Sequence, residues 1–94
     1  MAHQMEGIQL ANIDLSKSNL IRANLFGSIC TQTNFTEANL RGANLGRANL
    51  SNANLSHAKM DPTYLVRANL FQATLNNANL HASNLNGANM TEAS

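Results

Sequence analysis

The chain has 94 residues, with six lysines and arginines against five aspartates and glutamates, a formal net charge of +1 and one cysteine. A nearly neutral chain of this length suits one small domain and lacks the strong charge of a typical nucleic-acid-binding protein. A single cysteine excludes an intrachain disulfide, and no apolar run approaches the length of a membrane span.

A five-residue repeat runs through nearly the whole chain. The segment 38–55 contains Ala-Asn-Leu four times at this spacing, and extending the spacing in both directions gives seventeen central positions without an insertion. All thirteen leucines occupy central positions, and the other four are apolar or nearly so. The predicted core therefore comprises Leu10, Leu15, Leu20, Leu25, Cys30, Phe35, Leu40, Leu45, Leu50, Leu55, Met60, Leu65, Leu70, Leu75, Leu80, Leu85 and Met90.

The other positions of the repeat indicate how the backbone runs. Two residues before the centre, fifteen of seventeen residues are Ala, Ser or Thr, and the next position holds eleven Asn. With a period of five, the leucines would be spread around all faces of an α-helix, and in a straight strand they would alternate between its two faces. Neither element would therefore collect them on one buried face. A chain that turns one corner per repeat avoids both conflicts, with the small residue and the centre inside and Asn outside. Two arrangements would satisfy the hydrogen bonds of the Asn side chains: ladders between Asn residues of successive coils, and bonds from Asn to the backbone of the corner.

The tandem A-(N/D)-L-X-X motif resembles that of the pentapeptide-repeat family, and the resemblance covers Ile8 to Ala93. It implies an all-β fold: a right-handed quadrilateral parallel β-helix, the pentapeptide-repeat solenoid, with twenty residues per coil and slightly over four coils. The pattern alone does not distinguish four sides from three. We expect residues 8–94 to form a single domain without a C-terminal cap, after an N-terminal lead-in, residues 1–7.

The lead-in has neither the basic start nor the apolar run of a signal peptide, so we predict a cytoplasmic protein. Ile8 and Ile13 replace the small residues of later repeats, as suits a terminal coil with space beneath it. Met1 and Met5 are candidates for a partial cap over this end. The alternative is an apolar docking tip.

Two segments depart from the repeat. Cys30 replaces a central leucine and is predicted to be a small buried hydrophobic residue, with the bulky Phe35 compensating in volume. The segment 57–64 contains the single proline and the single tyrosine, and its polar residues are His57, Lys59, Asp61 and Tyr64. They occupy different repeat positions, and a packed coil implies no concave pocket. We therefore predict a distorted corner that contributes to recognition, with no catalytic residue and no cofactor.

A twenty-residue coil also predicts which outward residues stack. Lys17 falls against Glu37 as an opposite-charge pair, and Arg47 against Arg67 as a like-charge pair that tilts into solvent. Two adjacent sides carry Arg22, Arg41, Lys59, Arg47 and Arg67, with Asp61 among them. We interpret this basic edge as a solvated face, because five cations without aromatic interleaving are a weak signal for nucleic acid. Phe26, Tyr64 and Val66 share one side as a small contact patch. His3, His57 and His81 share no metal-ligand spacing.

The repeat continues to the last residues, since Ala93 is the small residue of a further repeat. No helix-forming segment follows Met90, so we expect Leu85 and Met90 to lie in a coil with an open edge. The predicted partner is a second copy stacked end to end, or a continuing β-helix segment. The candidate interaction residues are Leu85, Met90, Lys59, Asp61, Tyr64, Arg47 and Arg67; nucleic acid is disfavoured, and no membrane contact is predicted.

The resemblance implies two functional classes. Some members of the family protect type II topoisomerases by imitating the shape and negative charge of duplex DNA, and many others, numerous in cyanobacteria, have no assigned activity. Five acidic residues and a net charge of +1 do not suit mimicry of phosphates. We therefore predict a non-enzymatic structural or protein-protein interaction module. The alternatives are a DNA mimic that binds a type II topoisomerase and a weak nucleic-acid binder acting through the basic edge.

Overall fold

The computed structural model describes residues 7–94, and in this range the chain winds as a coil with one parallel β-bridge in each repeat. The thirteen bridges join residues twenty apart, from Gln9 with Ile29 to Asn69 with Asn89. Within 7–94 no residue is helical, and no strand is longer than a single bridged residue. The predicted lead-in, apart from Gly7, and the cap formed by Met1 and Met5 lie outside the described residues.

Each bridge is held by hydrogen bonds in both directions between successive coils. Leu10 donates its amide to the carbonyl of Ile29 at 2.7 Å, and Ile29 donates to the carbonyl of Ile8 at 2.9 Å. A third bond crosses at the corner, from the Asn12 amide to the Thr31 carbonyl at 3.0 Å. The same three bonds recur around most of the coil, so residues twenty apart lie directly above one another.

A coil of twenty residues contains four repeats and therefore has four sides, which we name by their central residues. Side A is centred on Leu10, Cys30, Leu50, Leu70 and Met90; side B on Leu15, Phe35, Leu55 and Leu75; side C on Leu20, Leu40, Met60 and Leu80; and side D on Leu25, Leu45, Leu65 and Leu85. Consecutive sides meet at two-residue corners, and sides B and D face away from each other.

Every corner but one is a β-turn whose third residue has positive φ. The amide of Ile13, for example, donates to the carbonyl of Leu10 at 3.2 Å. Across the described corners the third residue has φ between 55° and 76°, as a type II turn requires, with Pro62 the single exception. These positions accept Gly, Asn, Gln, Lys and Arg, because only the backbone is restricted there.

The bridged asparagines stabilise these corners. In each of the eleven, the side-chain oxygen accepts a hydrogen bond from the amide two residues later. At Asn44 this bond comes from Gly46 at 2.9 Å. One bond of the ladder type joins Asn89 to Asn69 at 3.4 Å. Of the two arrangements that the sequence left open, corner capping is therefore the general one, and it explains why Asn recurs at this position.

The core is continuous through the middle coils and opens at the two ends. The ten central residues from Leu25 to Leu70 are fully buried, and burial raises the pKa of the Cys30 thiol. Leu10, Leu15, Leu20, Leu75, Leu80 and Leu85 are partly buried. Met90, predicted as core, is 38% exposed, because within the described chain no further coil packs on it. Ile8 and Ile13 are also exposed, as a terminal coil implies.

The corner at Pro62 uses a different set of bonds. Proline cannot take positive φ, the Asp61-Pro62 peptide is cis, and the usual bond from the Thr63 amide to the Met60 carbonyl is missing. The Ser83 hydroxyl from the next coil takes its place. It accepts from the Thr63 amide at 2.9 Å and donates to the Met60 carbonyl. Ser83, which has the small size usual at its repeat position, thus forms the hydrogen bonds that the irregular corner at Pro62 needs, one coil earlier.

We expect Ser83→Ala to lower the free energy of unfolding by about 1 to 3 kcal/mol, because it leaves the Thr63 amide and the Met60 carbonyl without this partner. Ala is otherwise the commonest residue at this repeat position. The matched control is Ser18→Ala, since the Ser18 hydroxyl makes no hydrogen bond within residues 7–94. Urea unfolding followed by circular dichroism measures both, and equal effects would contradict the role of Ser83.

Truncation of a central leucine should cost more in the middle coils than at the end. We expect Leu50→Ala to lower the free energy of unfolding by about 2 to 5 kcal/mol, because Leu50 is fully buried and closed in by coils on both sides. Leu80→Ala removes the same atoms from a partly buried site and should cost less than half as much. Equal costs in denaturant unfolding would mean that the last coil is as well packed as the middle.

Candidate interaction surfaces

The edge of the last coil, which we call the C-terminal rim, presents backbone groups without partners. Within residues 7–94, the amides of Leu80, Leu85 and Met90 make no hydrogen bond. Their equivalents one coil earlier all do, as with the Leu65 amide, which donates to the Asn84 carbonyl at 2.8 Å. Exposed Met90 and partly buried Leu85 add apolar surface to this edge. The arrangement offers both hydrogen bonds and apolar contact to another coil.

The residues of the irregular segment do not converge. His57 lies at the corner between sides B and C, Lys59 on side C, Asp61 at the corner between C and D, and Tyr64 on side D. All four occupy outward positions on successive parts of one coil, so their side chains diverge. Within the described residues no group of three or more His, Cys, Asp and Glu side chains could hold a metal ion.

The charged pair that forms differs from the one predicted. Within residues 7–94 the single ion pair joins Arg41 Nε, which donates, to Asp61 Oδ1 at 2.9 Å. The predicted Lys17 and Glu37 pair is wrong: both side chains are exposed and unpaired in the described chain. An exposed pair gains little Coulomb energy and restricts two long side chains, so stacking alone does not bring the charges together.

The pairing of Asp61 affects its ionisation. The hydrogen bond from the Arg41 side chain holds the pKa of the Asp61 carboxyl below its ordinary value of 3.8, and the positive charges of Arg41 and His81 act in the same direction. Burial opposes the shift without cancelling it. Asp61 is therefore neutralised electrostatically by its neighbour, and its charge is not available to the other cations.

Three arginines at the corners flanking side D have no carboxylate partner. Arg22 lies at the corner between sides C and D, and Arg47 and Arg67 lie one above the other at the corner between D and A. All three are exposed, and within the described residues none is within 4.0 Å of a carboxylate. The Arg67 stem packs over Gly87, where an added Cβ would lie 3.2 Å from its Cγ.

Apolar side chains lie next to these arginines. Tyr64 is 44% exposed on side D, in a column that otherwise holds asparagines. At the neighbouring corner Phe26 covers Gly46, where an added Cβ would lie 3.1 Å from the Phe26 ring, and Val66 lies one coil further. A bulky residue twenty positions before a glycine was the sequence signal for this packing, and the prediction of a contact patch did not use it.

Replacing Asp61 should change stability in a pH-dependent way. A carboxyl whose folded-state pKa lies below its unfolded value contributes stability above about pH 3.8, and this is lost as pH falls through the folded pKa. We therefore expect Asp61→Asn to lower the melting temperature at pH 7, and to lower it progressively less as the pH is reduced from 3.8 to 2.5. Thermal unfolding followed by circular dichroism measures this.

The control for this prediction is Glu37→Gln, which removes an exposed carboxylate without an ion-pair partner in the described chain and leaves a residue that such corners accept. It should change the melting temperature little at either pH. An equal loss at pH 7 and pH 2.5 in Asp61→Asn would assign the effect to packing rather than to charge.

Comparison with solved structures shows close agreement of fold. The crystal structure of HetL, a pentapeptide repeat protein involved in heterocyst differentiation regulation from the cyanobacterium Nostoc sp. strain PCC 7120, matches with a TM-score of 0.89 and 30% identity over 90% of this chain. Rfr23, a pentapeptide repeat protein from the cyanobacterium Cyanothece 51142, matches with a TM-score of 0.84 and 28% identity, covering 97% of this chain and 79% of Rfr23.

QnrB1, a plasmid-mediated fluoroquinolone resistance protein, has a TM-score of 0.88 over 96% of this chain, but its 18% identity supports a common fold alone. The chain spans 39% of the length of HetL and 46% of that of QnrB1. No curated protein sequence gives a significant match. In the part of the chain that is described, no helix is long and apolar enough to cross a membrane.

These structural neighbours imply a right-handed quadrilateral β-helix, in agreement with the sequence-based prediction. A family model for pentapeptide repeats matches residues 4–42, 28–61 and 63–94, with eight copies. The resemblance seen in the sequence is thereby confirmed, and the chain belongs to the pentapeptide-repeat family.

Proposed function

We propose that this chain is a non-enzymatic structural or protein-protein interaction module whose C-terminal rim pairs with another coil. The observation that carries the proposal is the row of amides at Leu80, Leu85 and Met90 that have no hydrogen-bond partner within residues 7–94, together with the exposed side chain of Met90. The occupant is a second copy, stacked end to end, or a continuing segment of β-helix. Either one would add a coil whose backbone hydrogen-bonds to the rim in the way that successive coils of this chain do.

Two observations support an interaction role over catalysis. The candidate acid-base residues of the segment 57–64 diverge around one coil, whereas catalysis needs groups that converge on a reacting atom. The interior is filled mainly by apolar side chains, with Ser28, Thr33 and Thr63 also buried, and among the described residues no buried polar side-chain atom lacks a hydrogen-bond partner. What remains available for function is the outer surface and the rim.

The relatives are consistent with such a role and do not specify it. HetL is involved in the regulation of heterocyst differentiation, and its similarity to this chain supports a regulatory or interaction role for the chain. Imitation of DNA remains the weaker alternative, because a net charge of +1 does not reproduce a phosphate backbone. We keep residues 8–94 as one repeat domain, slightly over four coils and a cytoplasmic location as parts of this proposal.

The test is the molar mass in solution over a concentration series, by sedimentation or light scattering, for the full chain and for Met90→Lys. Stacking predicts a mass that rises with concentration to at least that of a dimer, and a monomer for Met90→Lys, because a charge at the rim opposes apolar contact. The substituted residue is already exposed, so the fold should persist.

The matched control is Ile29→Lys, which places the same charge at an exposed apolar residue on side A, away from the rim. Lys59 already occupies a bridged position of this kind, so lysine is compatible with the coil. The control should associate like the unmodified chain. A strict monomer at all concentrations would overturn end-to-end stacking of two copies and leave a continuing β-helix segment as the partner of the rim.

A further inference from the structure

Most of the charged residues of the described chain separate onto opposite sides of the coil; the exceptions among the cations are Lys17, at the corner between sides B and C, and Lys59, on side C. Arg22, Arg41, Arg47 and Arg67 lie at the two corners that flank side D. The carboxylates of Asp14, Glu37 and Glu92 lie on side B or at its corners, which face the other way. Among residues 7–94, Asp61 is the one carboxylate beside side D, and Arg41 binds it. Counted over these residues, side D therefore carries three uncompensated positive charges, although the chain as a whole is nearly neutral.

These charges are held close to one another by the coil. Arg47 and Arg67 are one coil apart, at a backbone spacing of about 4.8 Å. Arg22 lies on the other side of side D, which is about 10 Å wide, the length of three extended residues, and one coil before Arg47. The stems of Arg22 and Arg67 pack over Gly42 and Gly87 in the following coils, with contacts of 3.1 and 3.2 Å to an added Cβ. Like charges so close favour an anionic partner that spans both corners.

Between the two corners, side D offers apolar contact. Tyr64 replaces the asparagine found at the equivalent position of the other coils and is 44% exposed. Phe26 and Val66 are partly buried at the adjoining corner, with the Phe26 ring lying over Gly46. Tyr and Arg are enriched at protein interfaces, where an aromatic ring supplies contact area and a guanidinium binds carboxylates.

We propose that side D binds an acidic polypeptide segment that also carries aliphatic or aromatic side chains. Its carboxylates pair with Arg22, Arg47 and Arg67, and its apolar side chains contact Tyr64, Phe26 and Val66. A protein segment suits this surface better than nucleic acid, because the three arginines that have no carboxylate partner in residues 7–94 contact few phosphates, whereas Tyr64 adds exposed aromatic surface between them. The inference rests on the proposed interaction role, but not on stacking at the C-terminal rim.

The variants are chosen from residues that the chain itself uses at the same positions. Gln32 and Gln72 occupy corner positions with φ of 58°, so Arg47→Gln with Arg67→Gln keeps the backbone while removing two charges. Tyr64→Asn restores the residue of the neighbouring coils in that column. Lys17→Gln is the control, since it removes a cation from the same type of corner position on the far side.

The probe is a short fluorescein-labelled peptide that alternates glutamate with leucine and phenylalanine, read by fluorescence anisotropy at low salt. A peptide with glutamine in place of glutamate and a thymidine oligonucleotide of equal charge are measured in parallel. We expect the double arginine variant to weaken binding of the acidic peptide about five- to tenfold and Tyr64→Asn about threefold. Lys17→Gln should change it less than about twofold, and the glutamine peptide should bind weakly to every variant.

The proposal is overturned if the acidic peptide binds the double arginine variant as tightly as the unmodified chain. It is also overturned if Lys17→Gln weakens binding as much as the double arginine variant does, which would indicate attraction by overall charge. Tighter binding of the oligonucleotide, lost in the same variants, would assign side D to nucleic acid instead. Solution mass is measured for each variant and should be unchanged, so failure here is distinguishable from failure of stacking at the rim.

Discussion

The register of twenty residues between successive coils is the constraint on which the rest of this structure depends. It is set by hydrogen bonds on both sides of every bridged residue, such as Leu10 to Ile29 and Ile29 to Ile8. Because each side contains a single bridged residue, the backbone must turn again at once, and the corner requires a residue that accepts positive φ. The side chains inside are then forced into columns, which is why every repeat has an apolar or nearly apolar central residue and, from Ser18 onward, a small residue two positions before it.

The same register separates structural from variable positions. The inward residues and the bridged asparagines maintain the coil, whereas the two corner residues face solvent and vary freely. Side chains of the same charge or size that recur every twenty residues therefore stack at one corner or on one side of the coil. Arg47 above Arg67 and Phe26 above Gly46 are both products of this stacking. Short-range sequence order contributes little to such a surface.

The coil presents two kinds of surface with different chemistry. The C-terminal rim offers backbone donors in a fixed register and an apolar edge, which suits another coil of the same fold. Side D offers guanidinium groups and an exposed tyrosine, which suit carboxylates and apolar side chains of a partner. The two surfaces lie at right angles to one another, so a partner on side D does not obstruct a coil stacked on the rim.

The sequence by itself determined the period, the inward residues and the family, because a five-residue spacing of leucines admits no regular helix or strand and needs a corner in every repeat. It also indicated that the end coils would be less well covered, as Ile8 and Met90 illustrate. Only the tertiary structure decided which outward side chains meet. It paired Arg41 with Asp61 rather than Lys17 with Glu37, and it placed the Ser83 hydroxyl in the corner at Pro62. The physical reason is that periodicity specifies the position of each Cα, whereas a side-chain hydrogen bond depends on local turn geometry and on the balance between charge attraction and side-chain entropy.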